Sequence, residues 1–438
     1  MGNQDIYQRP VELLQTLIRF DTTNPPGNEI ECITYIRSLI EDAGLQTTVL
    51  ARDENRPNLI ARLPGRGDAP PLLLQGHVDV VTTADQAWDH PPFSGEIVDG
   101  MVWGRGAIDM KGGVAMMLSA FLRARAEGLT PAGDIILTLV SDEEAGGRYG
   151  AKYLVENHAA LFEGVRYAIG EGGGVALTLG GRKFYTIMVA EKQLCPVRVT
   201  VRGPAGHGSM PIQGGAMAKL ADVLHTLDRK RLPVHITPAA RLMLETVSRA
   251  LPFPDGLVLR GLLNPLLTDL ILDMLGSRAR LLNPTLHNTA SPTIVRGGNK
   301  INVLPSEITL DLDGRLLPGF GPDDMLRELH GLLGDEVELE ILGHDPGPPD
   351  PDMGLYDMLA DILREADPEG TPMPFLLAGV TDARFFARLG IQTYGFLPMD
   401  IPGELINTVH AANERLPVEA VGFGAEAIYT LLQRYGAS

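Results

Sequence analysis

The chain has 438 residues in the proportions of an ordinary globular protein, 44% hydrophobic and 21% charged, with a net charge of −18 and a pI of about 5.0. That length implies two or three domains rather than one. The acidic balance, with no Lys/Arg cluster to offset it, excludes a nucleic-acid surface. Two cysteines far apart in sequence, Cys32 and Cys195, exclude a disulfide framework and lead us to expect a reducing, cytoplasmic compartment.

The opening stretch MGNQDIYQRPVELL has no apolar core of a secretory leader, and Ile6 stands where a myristoylation signal has Ser or Thr. Residues 10–20 and 29–43 carry apolar side chains at helical spacing, the second closed by Gly44 as a C-cap, with the turn-rich loop DTTNPPGNE between them. The runs NLIARL, PLLLQGHV, DIILTLV and YAIGEG read as short strands, and GGVAMMLSAFLRARAEG reads as a helix among them. Strands alternating with helices predict an α/β layer with a mostly parallel central sheet flanked by helices. In QGHVDVV, His77 and Asp79 alternate with Val78 and Val80 and so share one side of an extended chain. Gly76 is read as the point where that strand opens into a cleft.

The pattern changes after residue 190. CPVRVTVRG alternates like a half-solvated strand. A helix (GGAMAKLADVLHTLDRK), a long apolar segment near 240–282, two strands (SPTIVRGG, SEITLDLDGRL), a helix (PDDMLRELHGLLG) and a strand (VELEILG) follow. This predicts an inserted α+β domain at 192–345, between parts 1–191 and 346–438 of one α/β domain, with HDPGPPDPDMG as a linker. Within the apolar segment, LVLRGLLNPLLTDLILDML is broken by Arg260, Pro265, Asp269 and Asp273 and is too interrupted to span a bilayer, so no membrane partner is expected.

Five places put acids or histidines at strand ends or in Gly-rich loops: His77 with Asp79, Asp109 in GRGAIDMKGG, Glu143 and Glu144 in SDEEAGG, Glu171 in IGEGGG, and His410 in NTVHAANE. Open α/β sheets build their sites in such loops. Singly each has a plain structural explanation: a turn Asp, a solvated acidic face, a surface His. GRGAIDMKGG matches neither the P-loop nor the dinucleotide fingerprint. Together they match the inventory of a two-metal site. Two zinc ions roughly 3.5 Å apart need a bridging carboxylate, and each needs a His and one further carboxylate. Two acids are then left over. Asp79 suits the role of holding the His77 ring, and one of the adjacent glutamates suits a general base.

QGHVDVV, WDHPPFSGEIVDGMVWGRGAIDMKGG, SDEEAGG, EKQLCPVRVTVRGPAGHGSMP, GGNKINVLPSE, DGRLLPG, GVTDARFF and NTVHAANE occur in that order. As a set they resemble the di-zinc amidohydrolase and peptidase family of aminoacylase, acetylornithine deacetylase, succinyl-diaminopimelate desuccinylase and carboxypeptidase S. The resemblance implies His77 and Glu171 on one zinc, Glu144 and His410 on the other, Asp109 bridging, and Glu143 as general base for the attacking water. Co²⁺ or Mn²⁺ would be substitutes for Zn²⁺. It further implies His207 as an oxyanion-stabilising lid histidine that is often donated by the partner subunit. Arg315 would bind the substrate carboxylate, with Asn302 nearby, and Thr381 and Arg384 would line the pocket. Asp382 is read either as lining the pocket with them or as a helix N-cap. His225, His235, His287, His330 and His344 have no second motif residue and are read as structural. The implied fold has the insert as a lid, which is also the usual surface for a homodimer. The implied activity is cleavage of the amide bond of an N-acyl amino acid or small peptide with a free carboxylate. Glu171, where many peptidases of the family carry Asp, tilts this towards the N-acyl substrate. The segment near 230–290 with NTASPTIVRGGNKINVLP resembles the carboxypeptidase S branch. The alternatives are a dipeptidase or carboxypeptidase on unblocked peptides, or a binding protein that kept the fold without turnover.

Overall fold

The computed structural model describes residues 3–436, so the Met1–Gly2 part of the leader reading lies outside them. The described chain divides into two compact units. The first comprises the residues up to Val189, Asp352–Phe375 and Thr381 onward. The second comprises Ala190–Pro351 with Leu376–Val380.

In the first unit, four strands run parallel in the order Ile135–Val140, Leu72–His77, Tyr167–Gly170 and Gln392–Gly395. Every residue of these strands is buried, as expected of a parallel sheet covered on both faces. Antiparallel strands flank them: Pro57–Leu63 and Thr47–Ala51 on one side, Arg182–Glu191 on the other. The Arg182–Glu191 strand carries no clean alternation and was not anticipated from the sequence. The Lys111–Ala126 helix is buried almost all round, which marks a helix packed on several sides. It lies against Val418–Arg434 and Pro10–Ile18. Gly44, after the Ile30–Asp42 helix, has φ +76°, as its C-cap reading requires. A second layer on the sheet centres on Leu73, Ile136, Ala168, Phe162 and Phe386, the two rings meeting edge to face at 5.2 Å.

The second unit is built on an antiparallel sheet in which Glu307–Leu316 is flanked by Val197–Arg202 and Thr289–Gly297. Val197, Val199 and Val201 alternate inward with Leu310 and Leu312, under the helices Ala216–Arg229 and Pro322–Leu333. Gly314 lies so close to the neighbouring strand that a Cβ there would sit 1.9 Å from the Cys195 carbonyl oxygen. The apolar segment near 240–282 forms three successive helices, Pro238–Ala250, Asp255–Gly261 and Pro265–Leu275.

Candidate metal centre

The Leu72–His77 strand delivers His77 at its carboxyl end, 1% exposed. Gly76 does not open a cleft there. A Cβ would meet the methyl carbons of Met110 and Met117 within 3 Å, so glycine admits those side chains against the strand. The His77 ring is oriented through Nδ1, which lies 3.0 Å from the backbone oxygen of Asp79 and 3.4 Å from its carboxylate. The carboxylate of Asp79 does more for the next loop, accepting from the N–H groups of Glu143 and Glu144, each at 3.1 Å, and from Asn24. It thereby fixes the turn that presents both glutamates.

Asp109 stands between two histidines. One carboxylate oxygen is 3.2 Å from His77 Nε2, and the other is 3.1 Å from His410 Nε2. Glu171, at the end of the Tyr167–Gly170 strand, lies 3.6 Å from His77 Nε2, and Glu144 lies 3.3 Å from His410 Nε2. Candidate ligand atoms of His77, Asp109 and Glu144 fall within 4.8 Å of one another, as do those of His77, Glu143 and Glu171. Five motifs spread from residue 77 to residue 410 thus converge on one pair of imidazoles.

Asp142 and His410 hold positive φ, +71° and +61°, a sparsely populated region for residues other than glycine. Both are held there by their surroundings. Asp142 accepts from Arg56, Asn24 and the Tyr149 N–H, and Arg56 also pairs with buried Glu29. The His410 carbonyl accepts from Gln86. Buried Glu414 accepts from the N–H groups of Gly106, Ile108 and Asp109 and pairs with Arg105 at 2.7 Å, so it clamps the loop that carries Asp109. None of these supporting residues was singled out from the sequence. Asp142 and Glu414 do lie inside SDEEAGG and NTVHAANE, and Asn24 and Glu29 lie inside DTTNPPGNE.

The electrostatics follow from crowding. Burial, then the neighbouring Glu171, pushes Glu143 well above the ordinary carboxyl range. Burial likewise raises Glu171 despite its contact with His77. Burial alone would depress His77, but hydrogen bonds to Asp109, Asp79 and Glu171 raise it instead. Hydrogen bonds to Asp109 and Glu144 push His410 up to about 10. The donor set fits divalent metal. It offers imidazole nitrogens and carboxylate oxygens, and the Glu144 Oε1 atom is buried without a hydrogen-bond partner among the described residues.

Thr381 and Arg384 are buried. Thr381 Oγ1, not Asp382, accepts from the first N–H of the Ala383–Phe386 turn. Asp382 makes no cap bond. Both its oxygens are buried without partners among the described residues, and burial pushes it up to about 7. In the second unit, His207 and Val303 pair across a two-stranded ribbon, and the Gly208 N–H donates to the Asn302 carbonyl. His207 is exposed, with Nδ1 2.7 Å from Ser209 Oγ. Arg315 is held by Asp313 at 2.6 Å, and its Nη1 atom has no partner among the described residues. His235, His330 and His344 each have a local partner, in Glu328, the Gly334 carbonyl and Gln193.

Fold and donor set together define a metal-dependent hydrolase of the two-unit α/β type. The profile of peptidase family M20/M25/M40 matches residues 73–434, and the chain belongs to that family. It is 29% identical over 377 residues to the N-fatty-acyl-amino acid synthase/hydrolase PM20D1 of Homo sapiens, covering 83% of this chain and 74% of that protein. It is 30% identical over 375 residues to the protein of the same name from Xenopus tropicalis, covering 83% and 72%. It is 28% identical over 362 residues to the probable carboxypeptidase S-like 2 of Dictyostelium discoideum, covering 80% and 68%. Among solved structures, an M20 family metallo-carboxypeptidase from Sulfolobus solfataricus has a TM-score of 0.71 at 18% identity, over 98% of this chain and 99% of that one. Human carnosine dipeptidase 1 has a TM-score of 0.68 at 15% identity, over 99% and 97%.

Proposed function

We propose that this chain hydrolyses the amide bond of N-acyl amino acids bearing a free carboxylate, long-chain acyl groups included. The observation that carries the reading is the placement of Asp109, with one oxygen on each of two histidines, and of Glu143 beside the His77 ring. His77 and Glu171 would hold one divalent ion, His410 and Glu144 a second, and Asp109 would reach both, with zinc as the expected metal. When bound, such ions supply Lewis acidity and acidify water. The chain's own residues do the rest. Glu143, held well above the ordinary carboxyl range by burial and the neighbouring Glu171, takes the proton of the attacking water and returns it to the leaving nitrogen. Asp79 keeps both the His77 ring and the Glu143–Glu144 turn in place. His207 would stabilise the oxyanion, and Arg315 with Asn302 would hold the carboxylate end. Thr381 and Arg384 would line the pocket.

Two supports favour the acyl substrate: Glu171 rather than Asp, and the relatives named for N-fatty-acyl amino acids. The carboxypeptidase-named relative supports a second reading, an unblocked dipeptide or peptide. Amine release from zinc-loaded protein offered both substrate classes decides between them, with Glu143→Ala as the control. Cleavage of the acylated substrates, lost in Glu143→Ala with metal retained, is the expected result. Preference for free dipeptides would establish the second reading. No release from either class would overturn both.

A further inference from the structure

The three helices between 238 and 275 are unusual in what they leave uncovered. Phe253 is 84% exposed, Leu257 63%, Leu266 91%, Leu270 68%, Met274 65% and Leu281 61%. Leu266, Leu270 and Met274 are spaced four apart and share one face of the Pro265–Leu275 helix. Phe253 stands in the short loop before the Asp255–Gly261 helix, which packs on both of its neighbours. Three large apolar side chains in line on one exposed helix face mark a contact site rather than scatter.

Its charge singles out the partner. Within a chain of net charge −18, residues 229–286 hold eight Lys or Arg against four Asp or Glu, a local net charge of +4. Two of those acids, Asp269 and Asp273, are both bound by Arg231, and Glu245 is bound by Arg249, while the fourth, Asp255, is exposed. Arg241, Arg260, Arg278 and Arg280 are exposed and make no ion pair among the described residues. Arg260 lies one helical turn from Leu257, and Arg278 and Arg280 lie between Met274 and Leu281. Exposed apolar side chains with unpaired arginines a few residues away in sequence are the signature of an interfacial membrane contact, in which the apolar face enters the acyl boundary and the arginines meet anionic headgroups. A second copy of the chain fits less well. A two-fold contact would bring this patch onto itself and set arginine against arginine.

We propose that the Pro238–Leu281 segment docks on a bilayer carrying anionic lipid. This departs from the expectation of no membrane partner, drawn from the lack of a spanning helix, and from the reading that no Lys/Arg cluster offsets the acidic balance. No helix among the described residues is long and apolar enough to cross a membrane, and surface contact needs none. The proposal does not depend on the hydrolytic reading, because a chain without turnover would still bind.

The test is co-sedimentation of the full chain with two vesicle types, pure phosphatidylcholine and phosphatidylcholine containing phosphatidylglycerol. Binding to the anionic vesicles only, weakening as salt is raised, is expected. The double variant Arg278→Ser/Arg280→Ser should bind about thirtyfold more weakly, at roughly fivefold per arginine. Leu270→Glu should reduce binding by at least about tenfold. Both changes are on the surface, so thermal unfolding midpoints close to that of the parent chain would show that the fold is kept. Failure of the parent chain to sediment with anionic vesicles at low salt would overturn the proposal. So would undiminished binding by both variants. So, too, would a lipid-free dimer in sedimentation velocity that Leu270→Glu converts to monomer, since a second copy would then cover the patch.

Discussion

At the scale of single residues, the ligand candidates were legible because each sits in its own short signature. His77 follows a buried run, Asp109 and Glu171 lie among glycines, Glu143 and Glu144 are adjacent, and His410 precedes Ala-Ala-Asn-Glu. The residues that hold them were not legible, since Asn24, Arg56, Glu29 and Glu414 acquire meaning only from partners dozens to hundreds of positions away. Glu414 yields a direct prediction. In Glu414→Gln the Arg105 charge stays buried without its counter-charge, a loss of about 3–5 kcal/mol. Denaturant midpoint and metal content per chain should both fall, and unchanged values in both would remove the clamp assigned to this residue. His410 yields another. Its folded pKa is raised to about 10 from an ordinary 6.5. The stabilisation from its ion pairs is therefore complete below about pH 6.5 and is lost as pH rises towards 10. The metal-free chain should lose urea resistance across that window, and the slope should be shallower in His410→Ala, where the raised His77 alone contributes it. Arg315 is judged by kinetics. Arg315→Ala should raise KM for carboxylate-bearing substrates by roughly tenfold or more with a smaller change in kcat, and an unmoved KM would end that assignment.

At the scale of elements, periodicity found the Ile30–Asp42, Lys111–Ala126, Ala216–Arg229 and Pro322–Leu333 helices to within a residue or two at most ends. It missed the Arg182–Glu191 strand, whose middle is apolar on both faces and so carries no two-residue rhythm. The reading of Gly76 failed for a related reason: sequence marks a glycine but not the side chains that press on it, here Met110 and Met117. Gly314 shows the same constraint inside the second unit's sheet. Gly314→Ala should destabilise that unit by roughly 1–3 kcal/mol, because the new methyl group meets the Cys195 carbonyl. Calorimetry would check this, and a neutral result would mean the strands part more easily than their register implies.

At the scale of the whole molecule, each unit has its own hydrophobic core, and the candidate metal ligands all belong to the first. A ligand that binds only a folded unit stabilises it by about 4 kcal/mol at a thousandfold excess over its Kd. Removing metal with a chelator should therefore lower one calorimetric transition, by on the order of 10 °C, and leave a second in place. If both transitions shifted together, the two units would be unfolding as one. The order of the ligands along the chain has a further consequence, for synthesis. His77, Asp109, Glu144 and Glu171 leave the ribosome early, whereas His410 and the Glu414 that clamps the Asp109 loop follow only after the whole intervening unit has been made. The nascent chain thus carries a half-built acidic pocket from Glu171 until His410 is made, and a product terminated between them lacks one histidine and the clamp together. Completion of the site becomes a record that the chain was read through at least as far as Glu414.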